Sequence, residues 1–179
     1  MIEYIWWLAE KIPRKERNMQ NRRMISISLW ITTVLWAVLI WSNSLKPGAT
    51  SGDESRAILV AINDFLARIS PSLQLSHLFV RKAAHFLEFA ILGLLFSFDF
   101  YRLPLFWGER RRAAVCFLCV PCGALVALVD EGIQLFVEGR GASFIDVGLD
   151  VLGVIFAASC FALTVFLRRK FFCEKAFDK

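Results

Sequence analysis

Residues 25–41, with the sequence ISISLWITTVLWAVLIW, decide the fold class of this chain. The stretch contains no charged residue. As an α-helix it would be about 26 Å long, close to the roughly 30 Å thickness of a bilayer's hydrocarbon core. Three further apolar runs follow, at about residues 83–100, 113–136 and 144–167. The sequence therefore predicts an all-α integral membrane protein, with residues 25–167 forming a four-helix bundle.

The composition and the distribution of charge agree with a membrane protein. Of the 179 residues, 57% are hydrophobic, and the net charge is +5. Lys and Arg cluster at the ends of the apolar runs, where membrane topology places them, so the excess charge does not indicate a nucleic-acid partner. Fifteen of the 21 Lys and Arg lie in the N-terminal segment, the second connection and the tail. The positive-inside rule then predicts a multi-pass protein with both termini in the cytoplasm.

Two segments outside the spans have the pattern of interfacial amphipathic helices. Within the N-terminal segment 1–24, residues 1–12 read MIEYIWWLAEKI, with two Trp suited to the headgroup region. In the first outer loop, residues 53–69 read DESRAILVAINDFLARI, with apolar residues at helical spacing and a break at Ser70-Pro71. This helix either lies on the outer leaflet or packs against the mouth of the bundle. Residues 168–179 form a basic cytoplasmic tail.

The third span has two local features. Cys116, Cys119 and Cys122 have CxxCxxC spacing, but they lie within an apolar helical pattern, where free Cys behaves as a small hydrophobic residue. We therefore predict neither a cysteine metal site nor a disulfide framework. Pro121, close to Gly123, is predicted to bend this helix because proline has no backbone N–H to donate.

Ionisable side chains interrupt three of the four spans. A charged side chain at mid-membrane costs about 2.5–3.5 kcal/mol even on lenient insertion scales, so such residues indicate function. Each of these three spans carries polar residues at helical spacing on one of its faces. They are His85 and Glu88 in the second span, Asp130 with Glu131 and Gln134 in the third, and Asp146 and Asp150 in the fourth. The first span ends in WSNS, which adds Ser42 and Ser44.

The predicted topology brings these residues to one depth in the membrane. Glu88, Asp130 and Asp150 each lie about 7–9 Å inside the outer end of their helix, at 1.5 Å per residue. Three helices therefore carry ionisable residues at one level, which predicts one shared site facing the outer leaflet. For a single residue, a structural ion pair or a helix-end effect is an equally good explanation.

The stretch GRGASFID before the fourth span adds a fixed cation to the predicted site. Arg140 has a planar guanidinium that suits phosphate or carboxylate, and the flanking glycines let the backbone turn around it. Together with His85 and the carboxylates, it is typical of a phosphoester site in which Arg binds the anion and His or Glu handles the proton. The carboxylates could equally hold a divalent metal, and the spacing leaves the cofactor undetermined.

The ordered set of polar residues resembles the VanZ-like family over about residues 30–165. The matching elements are Trp41-Ser42 with Ser44, His85-x-x-Glu88, Asp130-Glu131-x-x-Gln134, and Gly139-Arg140 with Ser143 and Asp146. Asp150 departs from the pattern, because the family more often has Asn there, followed by the Gly that Gly153 matches. The resemblance implies a protein of the bacterial cytoplasmic membrane, in a family named for a member linked to teicoplanin resistance. The family has also been grouped with membrane enzymes that act on lipid head groups.

Three functional hypotheses follow for this site. The first is a membrane phosphoesterase or lipid head-group transferase, with His85, Glu88, Asp130 and Glu131 as catalytic candidates. Its substrate-binding candidates are Arg140, Gln134, Ser42, Ser44, Ser143, Asp146 and Asp150. The second is a non-catalytic binding or resistance protein, and the third is a small transporter, disfavoured by the apolar inner halves of the spans. The partners expected in the first two cases are membrane lipids or lipid-linked cell-wall precursors.

Overall fold

The computed structural model of the protein describes residues 14–70, 72, 74–103 and 115–177. These residues are helical apart from short connections, and they contain no strand. The elements in chain order are α1 (Arg14–Ser44), α2 (Gly48–Ala67), α3 (His77–Arg102), a 3-10 turn (Cys116–Leu118), α4 (Cys119–Gln134) and α5 (Phe144–Phe177). The amphipathic segment predicted at residues 1–12 lies outside the described residues.

Four of these helices are long and apolar enough to cross a membrane. The spans are Met19–Ser44, His77–Arg102, Cys116–Gln134 and Phe144–Arg168, with mean hydropathies between 1.5 and 2.2. At most 33% of the most apolar window of any span is buried inside the bundle. A soluble protein would bury these residues, so the large exposed apolar surface is the part that faces lipid. The prediction of an all-α four-helix membrane bundle is confirmed.

The spans differ in detail from the sequence prediction. The second span begins at His77, six residues before its predicted start, and α5 continues to Phe177, beyond the predicted end of the fourth span. The predicted bend at Pro121 stays a prediction. Among the described residues, the 3-10 turn Cys116–Leu118 precedes α4, which begins at Cys119, so Pro121 lies in the first turn of α4. Because backbone N–H groups have no intrahelical α partner there, proline removes no α-helical bond.

The outer-loop helix α2 begins at Gly48, five residues before the predicted amphipathic stretch. None of its residues is buried, and Phe65 remains 62% exposed. It is nevertheless attached to the bundle. The Asn63 amide donates to the Leu75 carbonyl and accepts from the Leu75 N–H, at 3.2 and 2.9 Å. The helix therefore contacts the bundle while keeping an apolar surface exposed, which fits either of the two predicted placements.

Small residues let α3 and α5 pack closely, and this pair forms the most extensive helix contact in the described structure. A Cβ on Gly153 would lie 2.5 Å from the Phe86 carbonyl oxygen, and one on Gly93 would lie 2.7 Å from the Val154 Cα. Such close approach through small residues is typical of membrane helix pairs. It fixes the register of the two helices and so places His85 of α3 beside Asp150 of α5.

Two tryptophans connect α1 to its neighbours. The Trp36 indole N–H donates to the Glu88 carbonyl at 3.0 Å, and that of Trp41 donates to the Val126 carbonyl at 3.3 Å. Between the helices lies an apolar core that includes the fully buried side chains of Ile40, Phe89, Leu92 and Val154. Helix α3 contacts each of the other four helices, so its residues lie at the centre of the bundle.

The close contact of α3 and α5 gives a testable prediction for stability. Replacing Gly153 by Ala should lower the free energy of unfolding by about 1–3 kcal/mol, since the new methyl group must displace the Phe86 backbone. A methyl group on Gly148, on the same helix, would have no neighbour within 4 Å, so Gly148→Ala should be neutral or slightly stabilising. Reversible unfolding in detergent measures both variants, and equal effects would contradict the close contact at Gly153.

Candidate functional site

A cavity opens at the end of the bundle where α1 ends and α3 and α5 begin; we call this end the site end. Its volume is about 240 Å³, and it is lined by residues from three helices and the α4–α5 loop. The lining residues are Leu78, Arg81, Lys82, His85, Glu131, Gln134, Gly139, Arg140, Gly141, Asp146, Leu149 and Asp150. Six residues that the sequence predicts for the site are among them, namely His85, Glu131, Gln134, Arg140, Asp146 and Asp150.

His85, Asp130 and Asp150 form a cluster contributed by three different helices. One potential ligand atom of each residue lies within 4.8 Å of those of the other two. Asp130 is 0% exposed and Asp150 is 1% exposed. Neither oxygen of Asp150 has a hydrogen-bond partner among the described residues, and Asp130 Oδ1 also has none. Buried carboxylate oxygens are normally paired, so these oxygens need an explanation.

The other oxygen of Asp130 is held by its own helix. Gln134 Nε2, one turn later on α4, donates to Asp130 Oδ2 at 2.9 Å and to the Ser44 hydroxyl at 3.2 Å. Both Gln134 and Ser44 are buried. This chain of contacts orients the Asp130 carboxylate and joins the end of α1 to the end of α4.

Arg140 is positioned by a tight turn after α4. The turn contains Gly139 at φ +73°, in the left-handed region that favours glycine. Backbone approach at this turn is also close, because a Cβ on Gly48 would lie within 2.1 Å of the Gly139 carbonyl oxygen. The Gly48 N–H donates to the Glu138 carbonyl at 3.0 Å. The start of α2 thus holds the turn that presents Arg140 to the cavity.

The Arg140 guanidinium is only partly used by the protein. Nη2 donates to the Asn43 carbonyl at 3.1 Å, while the buried Nε and Nη1 have no partner among the described residues. Burial lowers the pKa of Arg140, and the positive charge of Arg81 adds to this effect. An arginine guanidinium nonetheless stays protonated at physiological pH. Arg140 is therefore a cation with unused donors beside the cavity.

Two further contacts fix the remaining acidic residues of the cavity. Glu131 Oε2 accepts from the Ser143 backbone N–H at 2.8 Å, so the start of α5 holds this carboxylate. Lys82 forms an ion pair with Asp146, and both side chains are about 40% exposed. Asp146 also lies in the first turn of α5, where a negative charge is favoured.

Five predicted site residues are not among those that line the cavity; they are Ser42, Ser44, Glu88, Asp130 and Ser143. Ser42 is exposed and its hydroxyl donates to the Val38 carbonyl of its own helix. Ser42 and Ser44 are two positions apart, about 200° around a helix, so only one of them can face the cavity. Glu88 does not line the cavity. Its carboxylate accepts from the Asn43 amide at 3.1 Å, and it does not belong to the cluster of His85, Asp130 and Asp150.

Asn43 connects two parts of the site and is not among the residues that the sequence pattern predicts. Its amide donates to Glu88, and its carbonyl accepts from Arg140. Lys82 also lines the cavity, and its position next to Arg81, one turn before His85, is the sequence signal that indicates this place. An Asn at the end of a span carries no comparable signal, because interfacial Asn is common outside functional sites.

Other polar residues of the spans form structural contacts away from the cavity. Asp99 is 2% exposed, and its Oδ2 accepts a 2.6 Å hydrogen bond from Thr33. Cys116 and Cys119 are buried in the third span, as expected for small core residues.

The fold and the cavity define a class of protein: a multi-pass membrane protein with a charged cavity at one end of its helix bundle. The sequence profile of the VanZ/LLP1 family matches residues 29–167, and the chain belongs to this family. No curated protein and no solved structure matches the chain significantly.

Proposed function

We propose that this protein is a membrane enzyme that binds the phosphate group of a lipid or of a lipid-linked cell-wall precursor and cleaves or transfers its head group. The observation that carries the proposal is the state of Arg140. Its guanidinium has two buried nitrogens without partners at a cavity that Arg81 and Lys82 also line. Buried donors that lack partners cost free energy, and a phosphate oxygen is the acceptor that best suits a guanidinium.

The surroundings of the cavity support a lipid as the substrate. Apolar residues at the site end are strongly exposed, which places hydrophobic surface beside the charged cavity; they include Leu78 (64%), Phe136 (91%), Phe144 (89%) and Ile145 (77%). A lipid whose chains remain in the bilayer would meet this apolar surface while its phosphate enters the cavity. A soluble anion would gain nothing from these residues.

The acidic side of the cavity provides the groups for phosphoester chemistry. Water or an acceptor alcohol attacks phosphorus and forms a new P–O bond, while the P–O bond to the departing group breaks. The proton of the attacking oxygen passes to the Glu131 carboxylate, which lines the cavity, and returns to the departing oxygen, so that protons balance. Arg140 and the neighbouring cations stabilise the negative charge on the phosphoryl oxygens. The cavity brings both kinds of group together.

The predicted topology gives this chemistry a cellular setting. With both termini in the cytoplasm, the site end faces the outer leaflet, where lipid-linked precursors of the cell wall are exposed. Altering or binding such a lipid would be a route to glycopeptide resistance of the teicoplanin type. A link to this resistance is what the family resemblance implies. Thiol labelling tests the orientation, because Cys173 should react only from the cytoplasmic side.

The experiment that tests the proposal is a product assay with purified protein. Detergent-solubilised protein is incubated with labelled phospholipids and with a polyprenyl-phosphate-linked precursor, and the products are separated. We expect the wild-type protein to release or exchange a head group, and His85→Ala to lose most of this activity. His77→Ala is the matched control, because His77 lies on the same helix, contacts the Gly52 carbonyl and does not line the cavity.

Two outcomes would contradict the enzymatic part of the proposal. Saturable lipid binding without product would favour the non-catalytic resistance protein. Equal activity in His85→Ala and wild type would show that the turnover does not use this cavity. Both variants should insert in the membrane normally, which expression and size-exclusion chromatography verify.

A further inference from the structure

We propose that His85, Asp130 and Asp150 bind a divalent transition metal, with Zn²⁺ or Mn²⁺ as the fitting cation. The inference concerns metal binding alone and does not rest on the proposed lipid activity. It begins with the three potential ligand atoms, all within 4.8 Å of one another, which come from α3, α4 and α5. Three residues from separate helices converge on one point inside the bundle.

The hydrogen bonding of the cluster is the independent observation that indicates a cation. Both Asp150 oxygens and Asp130 Oδ1 are buried and lack partners among the described residues. Asp150 is 1% exposed, so bulk water does not solvate it. No cation near the cavity forms a direct ion pair with these oxygens among the described residues. Lys82 pairs with Asp146, and no ion pair reaches Asp130 or Asp150 within the described part of the chain.

The distances leave room for a metal ion. In a tetrahedral zinc site with metal–ligand distances of about 2.0–2.2 Å, ligand atoms lie about 3.3–3.6 Å apart. The potential ligand atoms lie within 4.8 Å of one another, so they have to approach each other by little more than about 1 Å to reach these distances. The described residues show no hydrogen bond or ion pair between His85 and either Asp, so nothing has to break for this closure.

The ligand types select the class of cation. One imidazole nitrogen and two carboxylates suit borderline divalent metals, whereas Mg²⁺ and Ca²⁺ prefer oxygen ligands alone. The contacts around the cluster also fit a metal site. Asp130 is oriented through its second oxygen by Gln134, as carboxylate ligands commonly are by a neighbouring hydrogen bond. The protein supplies three ligands, so a four-coordinate metal would keep one coordination position for a group in the adjoining cavity.

Metal binding to the purified full-length protein tests the inference without any lipid substrate. The protein is stripped with a chelator, reloaded with Zn²⁺ or with Co²⁺ as a spectroscopic probe, and the bound metal is measured. We expect one Zn²⁺ per chain, with affinity reduced at least about tenfold in His85→Ala and Asp150→Asn. Asp99→Asn is the matched control, since Asp99 is equally buried but lies outside the cluster.

The remaining outcomes overturn the proposal. The proposal is overturned if folded wild-type protein retains no Zn²⁺ or Co²⁺. It is also overturned if His85→Ala and Asp150→Asn retain as much metal as the wild type. A sulfur-to-cobalt charge-transfer band would instead assign the metal to Cys116, Cys119 or Cys122. Circular dichroism shows that each variant is folded before loading. A failure of the lipid product assay would leave these binding results unaffected, so the two proposals fail separately.

Discussion

Replacing Arg140 by Gln is expected to lower kcat/KM for a lipid phosphate substrate by about 100- to 1000-fold. The magnitude follows from the loss of a buried charge-assisted contact that forms with the reacting group. In the structure, Arg140 Nε and Nη1 are buried beside the cavity without protein partners among the described residues, so the substrate is their expected acceptor. Initial rates at several substrate concentrations in mixed micelles measure the effect.

The comparison with other substitutions makes this prediction specific. Arg140→Lys keeps the charge but not the planar pair of donors, so it should recover only part of the activity. Arg56→Gln is the matched control, because Arg56 lies on α2 and pairs with Asp53 at the surface. A loss smaller than about threefold in Arg140→Gln would remove Arg140 from substrate binding. The variant also loses the bond to the Asn43 carbonyl, so its melting temperature is measured alongside.

The spans were predictable because hydropathy is a local property of the sequence. A run such as residues 25–41 has one stable environment, and no tertiary contact is needed to recognise it. The ends of the helices were less predictable. Helix α3 begins at His77 because the Ser76 hydroxyl accepts from the Phe79 N–H, and this N-cap lies outside the apolar run. Pro121 is tolerated because the helix begins near it, which hydropathy does not show.

The residues of the site were predictable as far as helical spacing determines them. Two polar residues three or four positions apart share a helical face, and this spacing was enough to select His85 with Glu88, Asp130 with Gln134, and Asp146 with Asp150. Contacts between helices depend on rotation and register, which the close packing at Gly153 sets. The hydrogen bond from Asn43 to Glu88 is such a contact between helices, so helical spacing does not predict it. Likewise, only the three-dimensional structure shows that Arg140 has unused donors.

Asp150→Asn is expected to raise stability and to lower function in the same protein. In the chelator-treated protein, Asp150 is a buried carboxylate without a partner among the described residues, which costs free energy in the folded state. An amide of nearly the same shape carries no charge, and its N–H₂ group can donate to Asp130 Oδ1, which also lacks a partner there. We expect a gain of about 1–3 kcal/mol, which thermal unfolding in detergent with a chelator would detect as a rise of several degrees.

The same measurement in two further conditions separates this explanation from a general effect of removing charge. Asp99→Asn should bring a smaller gain, because Asp99 Oδ2 accepts a hydrogen bond from Thr33 and only Oδ1 lacks a partner among the described residues, whereas both Asp150 oxygens lack one. Adding Zn²⁺ should stabilise the wild-type protein more than Asp150→Asn, since a ligand that binds only the folded state adds to its stability. The difference between the two proteins should therefore shrink or reverse. A lower melting temperature for Asp150→Asn in the chelator would mean that Asp150 contributes to the fold. A gain in the chelator that Zn²⁺ cancels would show that the carboxylate destabilises the fold and stabilises a bound cation.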